Sequence, residues 1–229
     1  MRPIVLFDLD NTLVDRQAAY RRWAVDFAAA AGLDEAAVAW LVRADDDGFA
    51  DRQVLFRAAR EEFGLPESVG DLVEQYRRRY PTYFEPDQGV LDGLRRLRSA
   101  GWRIVVVTNG PPSQREKVTR AGLDPLIDAL CISEELGVAK PDPRIFAEAR
   151  RRSGAPPEEV GGWMVGDTAH PDIGGGRAAG LRTVWLHRGR PWDSSVGYHP
   201  DVTVADVLEA LDVLLGGSGR RSGAGESDR

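Results

Sequence analysis

The stretch that decides the fold is Ile4-Val5-Leu6-Phe7-Asp8-Leu9-Asp10-Asn11-Thr12-Leu13. Its first four residues are apolar and are followed at once by loop-forming residues, a pattern typical of a short buried β-strand. Residues i and i+2 of an extended chain point the same way, so we expect Asp8 and Asp10 side by side at the carboxyl end of the strand. Two adjacent carboxylates repel each other. A bound hard cation, a pair with separated pKa values, or a plain strand end that caps a helix would each account for them.

The composition argues against a nucleic-acid or membrane surface. The chain has 229 residues, enough for one large domain or for one domain with an insertion, and 36 Asp and Glu residues outnumber 30 Lys and Arg residues. There is no basic stripe and no apolar run of bilayer length, so we expect no nucleic-acid partner, no membrane partner and a cytoplasmic location. The single cysteine, Cys131, lies in an apolar run and is expected to be a buried thiol. A monomer and a homodimer both stay open.

The hydrophobic pattern changes character twice along the chain. Residues 15–86 show helical spacing alone, in four short helices, whereas residues 87–215 alternate helices with strands that are almost continuously apolar. Such alternation predicts an α/β fold, a Rossmann-like doubly wound parallel sheet with helices on both faces. Residues 1–14 and 87–215 would form this core, and residues 15–86 would be an inserted α-helical domain. Residues 216–229 contain Gly, Ala, Ser and charged residues, which predicts disorder.

Polar residues follow three of the predicted strands. Ligands of open α/β sheets bind outside the carboxyl ends of the strands, so we expect these residues and a lysine from a fourth loop to lie at one edge. They are Asp8, Asp10, Thr12, Thr108, Asn109, Lys140, Asp167 and Asp172. Carboxylates that hold Mg²⁺, together with hydroxyl and ammonium groups for phosphate oxygens, fit phosphoryl transfer. Asp8 would attack the phosphorus atom and Asp10 would carry a proton.

Four short motifs in this order resemble the haloacid dehalogenase superfamily of phosphatases. They are Asp-Leu-Asp-Asn-Thr from Asp8, Val-Val-Val-Thr-Asn ending at Asn109, Lys140-Pro141, and Gly166-Asp167 through Asp172. Each motif alone is weak, but the four together, in the right order and spacing, are specific. The resemblance covers nearly the whole chain up to about Leu215.

The resemblance implies a role for each of these residues. Asp8 would be the nucleophile that forms an aspartyl-phosphate, and Asp10 would protonate the leaving group and then deprotonate water. Thr108, Asn109 and Lys140 would bind the phosphoryl group. Magnesium would be held by Asp8, the backbone carbonyl of Asp10 and Asp167, with Asp172 touching the metal or lying just behind it. The helical insertion would be a mobile cap that closes over the site and selects the substrate.

The expected function is therefore Mg²⁺-dependent hydrolysis of a small phosphorylated metabolite, such as a sugar phosphate or a nucleoside monophosphate. A phosphomutase shares all four motifs and stays an alternative. A haloacid dehalogenase is disfavoured because displacing a halide needs no acid at Asp10. A non-catalytic phosphate-binding module is the third alternative.

Four further expectations concern residues around these motifs. Lys117 is expected on the solvated face of its helix, and Asp45–Asp47 either in a solvated turn or facing the site. Asp172 could serve as the N-cap of the following helix. The run Gly174–Gly176 predicts an unusually mobile loop, because glycine weakens a helix.

Overall fold

The computed structural model describes residues 2–156 and 161–216. They fall into two compact units. The first, here called the core unit, holds the chain up to Val14 and from Pro86 onward, and the second, the helical unit, is Asp15–Glu85. The predicted disordered tail, residues 216–229, lies outside the described residues except for Gly216.

Six parallel strands form one sheet in the core unit, in the order β3-β2-β1-β4-β5-β6. This arrangement confirms the predicted α/β fold, and the short strand foreseen at residues 202–204 lies at the edge. Phe7 pairs with Val106 on one side and Val165 on the other, so the loops after β1, β2 and β4 leave the sheet at the same edge. The strands are β1 (Ile4–Phe7), β2 (Arg103–Thr108), β3 (Ala129–Ile132), β4 (Trp163–Gly166), β5 (Arg182–Leu186) and β6 (Val202–Val204).

The central strands are buried because helices cover both faces of the sheet. All four residues of β1 are buried, as the unbroken apolar run predicts. On one face Leu6, Val105 and Met164 pack with Ile145 and Cys131 in a hydrophobic cluster. Cys131 is fully buried, which confirms the prediction of a buried thiol, and burial raises the pKa of this thiol to about 11.

The helices of the core unit are α5 (Gln88–Ser99), α6 (Gln114–Arg120), α7 (Ser133–Leu136), α8 (Pro143–Arg152), α9 (Gly175–Ala178) and α10 (Val207–Leu214). A π-helical turn, Ala169–Gly174, precedes α9 where the sequence predicts one weak helix over residues 173–179. No helix within residues 2–156 and 161–216 is long and apolar enough to cross a membrane.

The run Gly174–Gly176 has a packing role that the sequence did not reveal. A Cβ atom added to Gly175 would lie 2.8 Å from Phe146 Cζ, and one added to Gly176 would lie 2.7 Å from Met164 Cβ. Both distances are shorter than van der Waals contact allows. These glycines let α9 approach α8 and the sheet closely, so their presence does not by itself indicate a mobile loop.

The helical unit contains α1 (Arg16–Ala30), α2 (Glu35–Ala44), α3 (Arg52–Phe63) and α4 (Val69–Arg79). Each helix begins at a residue whose side chain accepts a backbone N–H of the first turn: Asp15, Asp34, Asp51 and Ser68. Such caps satisfy donors that the helix itself leaves unpaired. The four helices predicted from the periodicity are confirmed.

Asp45 is buried, so the solvated-turn alternative for residues 45–47 is wrong for this residue. Its carboxylate accepts two hydrogen bonds from Arg16, at 2.7 and 2.8 Å, and one from Arg52 at 2.7 Å. Asp46 is exposed and Asp47 half-buried, in a short turn that follows α2. The carboxylate is buried because two guanidinium groups of the same unit surround it.

We expect Asp45→Ala to lower the free energy of unfolding by about 3–5 kcal/mol, because it leaves two guanidinium groups without their carboxylate partner in a buried site. Urea titration followed by circular dichroism measures the change. Glu74→Ala is the control, since it breaks the exposed ion pair with Arg78 and should change stability little. Equal losses in the two variants would contradict the buried network.

We expect Gly176→Ala to lower the free energy of unfolding by about 1–3 kcal/mol, because its Cβ overpacks the contact with Met164. The matched control is Gly70→Ala in α4, where the nearest heavy atom to the new Cβ is Ser68 Oγ at 3.7 Å. The control should be stabilising by about 0.5–1 kcal/mol. A neutral or stabilising Gly176→Ala would show that the approach of α9 is not tight.

Candidate active site at the carboxyl edge of the sheet

Lys140 joins the carboxylates of two different loops. Its ammonium donates to Asp8 Oδ1 at 2.6 Å and to Asp172 Oδ1 at 2.7 Å, and its side chain is 2% exposed. Asp8 follows β1, and Asp172 lies in the π-helical turn after β4. The structure therefore brings together the first, third and fourth motifs, as the sequence predicts.

Three buried carboxylates meet at this point. Asp8, Asp167 and Asp172 each offer an oxygen atom, and these atoms all lie within 4.8 Å of one another. Burial raises the pKa of Asp8 to about 8, and the neighbouring carboxylates add to the effect while Lys140 opposes it. Burial and Asp172 raise the pKa of Asp167 to about 6, against the opposing effect of two arginines. Burial and repulsion between the carboxylates thus both favour the protonated forms of Asp8 and Asp167.

These carboxylates fit a hard divalent cation. The ligand atoms are all carboxylate oxygens, and they are buried. Burial, together with repulsion from the neighbouring carboxylates, raises the pKa values of Asp8 and Asp167. A cation of two positive charges would relieve that repulsion. Asp8 and Asp167 are the residues that could hold it through their side chains.

Asp172 has hydrogen-bond partners on both of its oxygen atoms. Oδ1 accepts from Lys140, and Oδ2 accepts from the backbone N–H of Thr168 at 3.0 Å and from its hydroxyl at 2.5 Å. Asp172 is therefore placed to orient Lys140 and the loop after β4. It lies inside the π-helical turn, which begins after Thr168, so the alternative role as a helix N-cap is wrong.

Gly166, the last residue of β4, makes room for Asp172. A Cβ atom on Gly166 would overlap the carboxyl group of Asp172. Since Asp172 is 1% exposed and bonded on both sides, it cannot move aside without losing those bonds. Close packing against Asp172 thus explains the glycine of the fourth motif.

Thr108 and Asn109 lie at the end of β2, next to the same loops. The Asn109 side chain donates to the carbonyl oxygen of Lys140 at 2.9 Å and accepts from its backbone N–H at 2.8 Å. Both halves of the Asn109 amide are therefore occupied in holding the Lys140 loop. Thr108 Oγ1 accepts a hydrogen bond from Gln114 at 2.7 Å.

Several residues at this edge were not foreseen. Arg188 and Arg190 donate to Asp167 Oδ2, at 3.1 and 3.0 Å, and the Trp185 indole donates to the Asp167 carbonyl at 3.0 Å. The only signal in the sequence is position: Trp185 lies in β5, the strand that neighbours β4, and the two arginines follow that strand. The loop that holds Arg188 and Arg190 shows no periodicity that would indicate where their side chains point.

Lys117 was expected in solvent, and this expectation is wrong. Its side chain is 7% exposed, and its ammonium lies 2.8 and 2.7 Å from the two carboxylate oxygens of Asp10. Its place in α6 offers a signal, because Val118 of this helix and Ala121, which caps its carboxyl end, are apolar and buried. Gln114 and Lys117 share the inward face with them at helical spacing.

A sequence model of the haloacid dehalogenase-like hydrolases matches residues 3–180. The chain belongs to this family. The four motifs lie within the matched residues, and the resemblance inferred from them is confirmed.

Three comparisons illustrate the kinship within the haloacid dehalogenase-like hydrolases. Phosphoserine phosphatase of Thermus thermophilus is 42% identical over 166 residues, which are 70% of this chain and 64% of that protein. Glyceraldehyde 3-phosphate phosphatase of Pyrococcus abyssi is 31% identical over 200 residues, 83% of each. The solved structure of the HAD-hydrolase YfnB from Bacillus subtilis, bound to magnesium, has a TM-score of 0.75 and 26% identity, covering 93% of this chain and 98% of that one. The chain spans a little under two thirds of the length of several curated relatives.

We expect the free energy of unfolding of the metal-free protein to fall as the pH rises, because of the ionisation of Asp8. Because its pKa rises from an ordinary 3.8 to about 8 on folding, the unfolded chain loses this proton first. The contribution of the protonated Asp8 carboxyl group to the free energy of unfolding is fully present below about pH 4 and is lost as the pH approaches 8. In EDTA, Asp8→Asn should therefore gain stability relative to wild type between pH 5 and pH 8.

Urea unfolding at the two pH values measures this difference. Asp212→Asn, on the exposed surface of α10, is the control, and its stability difference from wild type should not change with pH. A constant difference between Asp8→Asn and wild type would show that the Asp8 carboxyl group ionises normally.

Proposed function

We propose that the chain is a Mg²⁺-dependent phosphohydrolase that hydrolyses small phosphorylated metabolites through an aspartyl-phosphate on Asp8. The observation that carries the proposal is the buried cluster of Asp8, Asp167 and Asp172 around the Lys140 ammonium. Two relatives with phosphatase names, acting by name on phosphoserine and on glyceraldehyde 3-phosphate, support it. The cytoplasmic location and the monomeric or dimeric state stay predictions.

In this proposal Lys140 and Thr108 bind the oxygens of the phosphoryl group. Lys140 is a buried cation beside Asp8, so it can neutralise charge where the phosphate meets the nucleophile. Asp8, Asp167 and the backbone carbonyl of Asp10 would hold Mg²⁺, which supplies positive charge to offset the phosphate oxygens. Asn109, predicted to bind the phosphoryl group, would act instead by holding the Lys140 loop, because its side-chain amide is bonded to the backbone of Lys140.

The chemistry divides between the two carboxyl groups of the first motif. A carboxylate oxygen of Asp8 attacks phosphorus, the ester P–O bond breaks, and Asp10 gives its proton to the departing oxygen. A water molecule then attacks the aspartyl-phosphate, Asp10 takes a proton from it, and inorganic phosphate leaves with Asp8 regenerated. Asp10 favours phosphate esters over halides as substrates, since halide departs without a proton.

We expect Asp8→Asn to lower the rate of p-nitrophenyl phosphate hydrolysis by at least about 10³-fold, because it removes the nucleophile. The assay follows p-nitrophenol release with MgCl₂ and again with EDTA, which should abolish the wild-type rate. Mass spectrometry of the acid-quenched wild type should find phosphate on the peptide that contains Asp8.

Asp212→Asn, remote in sequence and exposed, should retain wild-type activity. Equal turnover by wild type and Asp8→Asn would refute the role of Asp8. A panel of phosphorylated metabolites that includes phosphoserine, glyceraldehyde 3-phosphate and nucleoside monophosphates then identifies the substrate class. Return of the phosphoryl group to a substrate hydroxyl, in place of phosphate release, would identify a mutase.

A further inference from the structure

Lys117 is a buried cation that the four motifs do not include. It lies in α6, and its ammonium contacts both carboxylate oxygens of Asp10, at 2.8 and 2.7 Å. Burying a lysine is costly unless its charge is paired and hydrogen-bonded. Asp10, whose side chain is 23% exposed, supplies that pairing at the edge of the candidate site.

Gln114, one turn earlier in α6, contacts the same carboxylate. Its amide nitrogen lies 2.9 Å from Asp10 Oδ2 and 2.7 Å from Thr108 Oγ1, and its side chain is buried. Gly110 has a φ of +153°, and a Cβ atom there would lie 3.1 Å from Gln114 Cγ. The loop after β2 therefore leaves space for this glutamine, which joins the ends of β1 and β2.

We propose that Lys117 and Gln114 are positioning residues that orient the Asp10 carboxyl group for proton transfer to the departing oxygen. The proposal rests on the phosphohydrolase function proposed above. An ammonium shared by both oxygens fixes the plane of a carboxyl group, and the amide fixes it relative to Thr108. Orientation matters because a small misplacement of a catalytic group can cost about 10²-fold in rate.

A simple structural tie between α6 and β1 makes a different prediction. It would change binding or folding for every substrate alike. Misplacement of Asp10 instead lowers kcat/KM only for substrates whose leaving oxygen needs a proton, because the deprotonation of water by Asp10 comes after the leaving group has departed. A series of substituted phenyl phosphates separates the two, because leaving phenols range from strongly acidic, as in 2,4-dinitrophenyl phosphate, to weakly acidic, as in phenyl phosphate.

The test measures kcat/KM, which reports steps up to departure of the phenol, for the full-length protein with Mg²⁺. We expect kcat/KM of Lys117→Met to fall about 10²-fold for phenyl phosphate and little for 2,4-dinitrophenyl phosphate. Its kcat/KM should therefore fall more steeply with the basicity of the leaving group than that of wild type. Asp10→Asn should steepen this dependence in the same way. The double variant should be no worse than Asp10→Asn alone, because the two residues act through one group.

Further variants exclude a trivial loss of folding. Lys117→Arg keeps the cation and should restore most of the phenyl phosphate rate, whereas Gln114→Met should steepen the dependence to a smaller extent. Arg120→Met, at an exposed position of the same helix, is the matched control and should behave as wild type.

Two results would overturn the inference, and they are distinguishable. If wild type hydrolyses the series but Lys117→Met and Gln114→Met lose the same factor on every ester, or lose nothing, Lys117 and Gln114 are not positioning residues for Asp10. If wild type releases phosphate from no ester in the series, the phosphohydrolase function itself fails, and the role of Lys117 falls with it.

Discussion

The site depends on one ammonium group placed between two carboxylates. Asp8, Asp167 and Asp172 are buried within a few ångströms of each other, an arrangement that would be strongly unfavourable without compensating charge. Lys140 bonds to two of them, and Asn109 fixes the backbone of Lys140 through two hydrogen bonds. The parallel sheet also constrains the site. The carboxyl ends of β1, β2 and β4 lie at one edge of the sheet, so the polar loops that follow them lie close together.

The sequence predicts this part of the molecule well because the signals are local. The run Ile4–Phe7 is apolar enough to specify a central strand, and the residues after it must emerge at a strand end. The same reasoning applies to Thr108 and Asp167. Once parallel strands are inferred, the meeting of their carboxyl ends follows from geometry, and the helices that begin at Asp or Ser caps follow from capping rules.

The rest of the site depends on contacts between distant parts of the chain. Lys117 reaches Asp10 across 107 positions, and Arg190 reaches Asp167 from a loop without periodicity. Asp45 looks like part of an acidic turn until Arg16 and Arg52 are seen around it. The sequence does not show which residue a charged side chain will pair with, so a charged residue is predicted to be exposed to solvent. The spacing of Lys117 relative to Val118 and Ala121 is the one local signal that indicates a buried position for its side chain.

Gly166 and Asp172 show how such packing limits divergence. Gly166 has no side chain, and the Asp172 carboxyl group lies in the space that a side chain at position 166 would need. Any larger residue at position 166 needs a shorter one at position 172, and a shorter residue there would leave the Lys140 ammonium without its second anion. A substitution at either position alone is therefore unfavourable. Proteins that descend from a common ancestor and retain the chemistry are expected to keep Gly166 and Asp172 together.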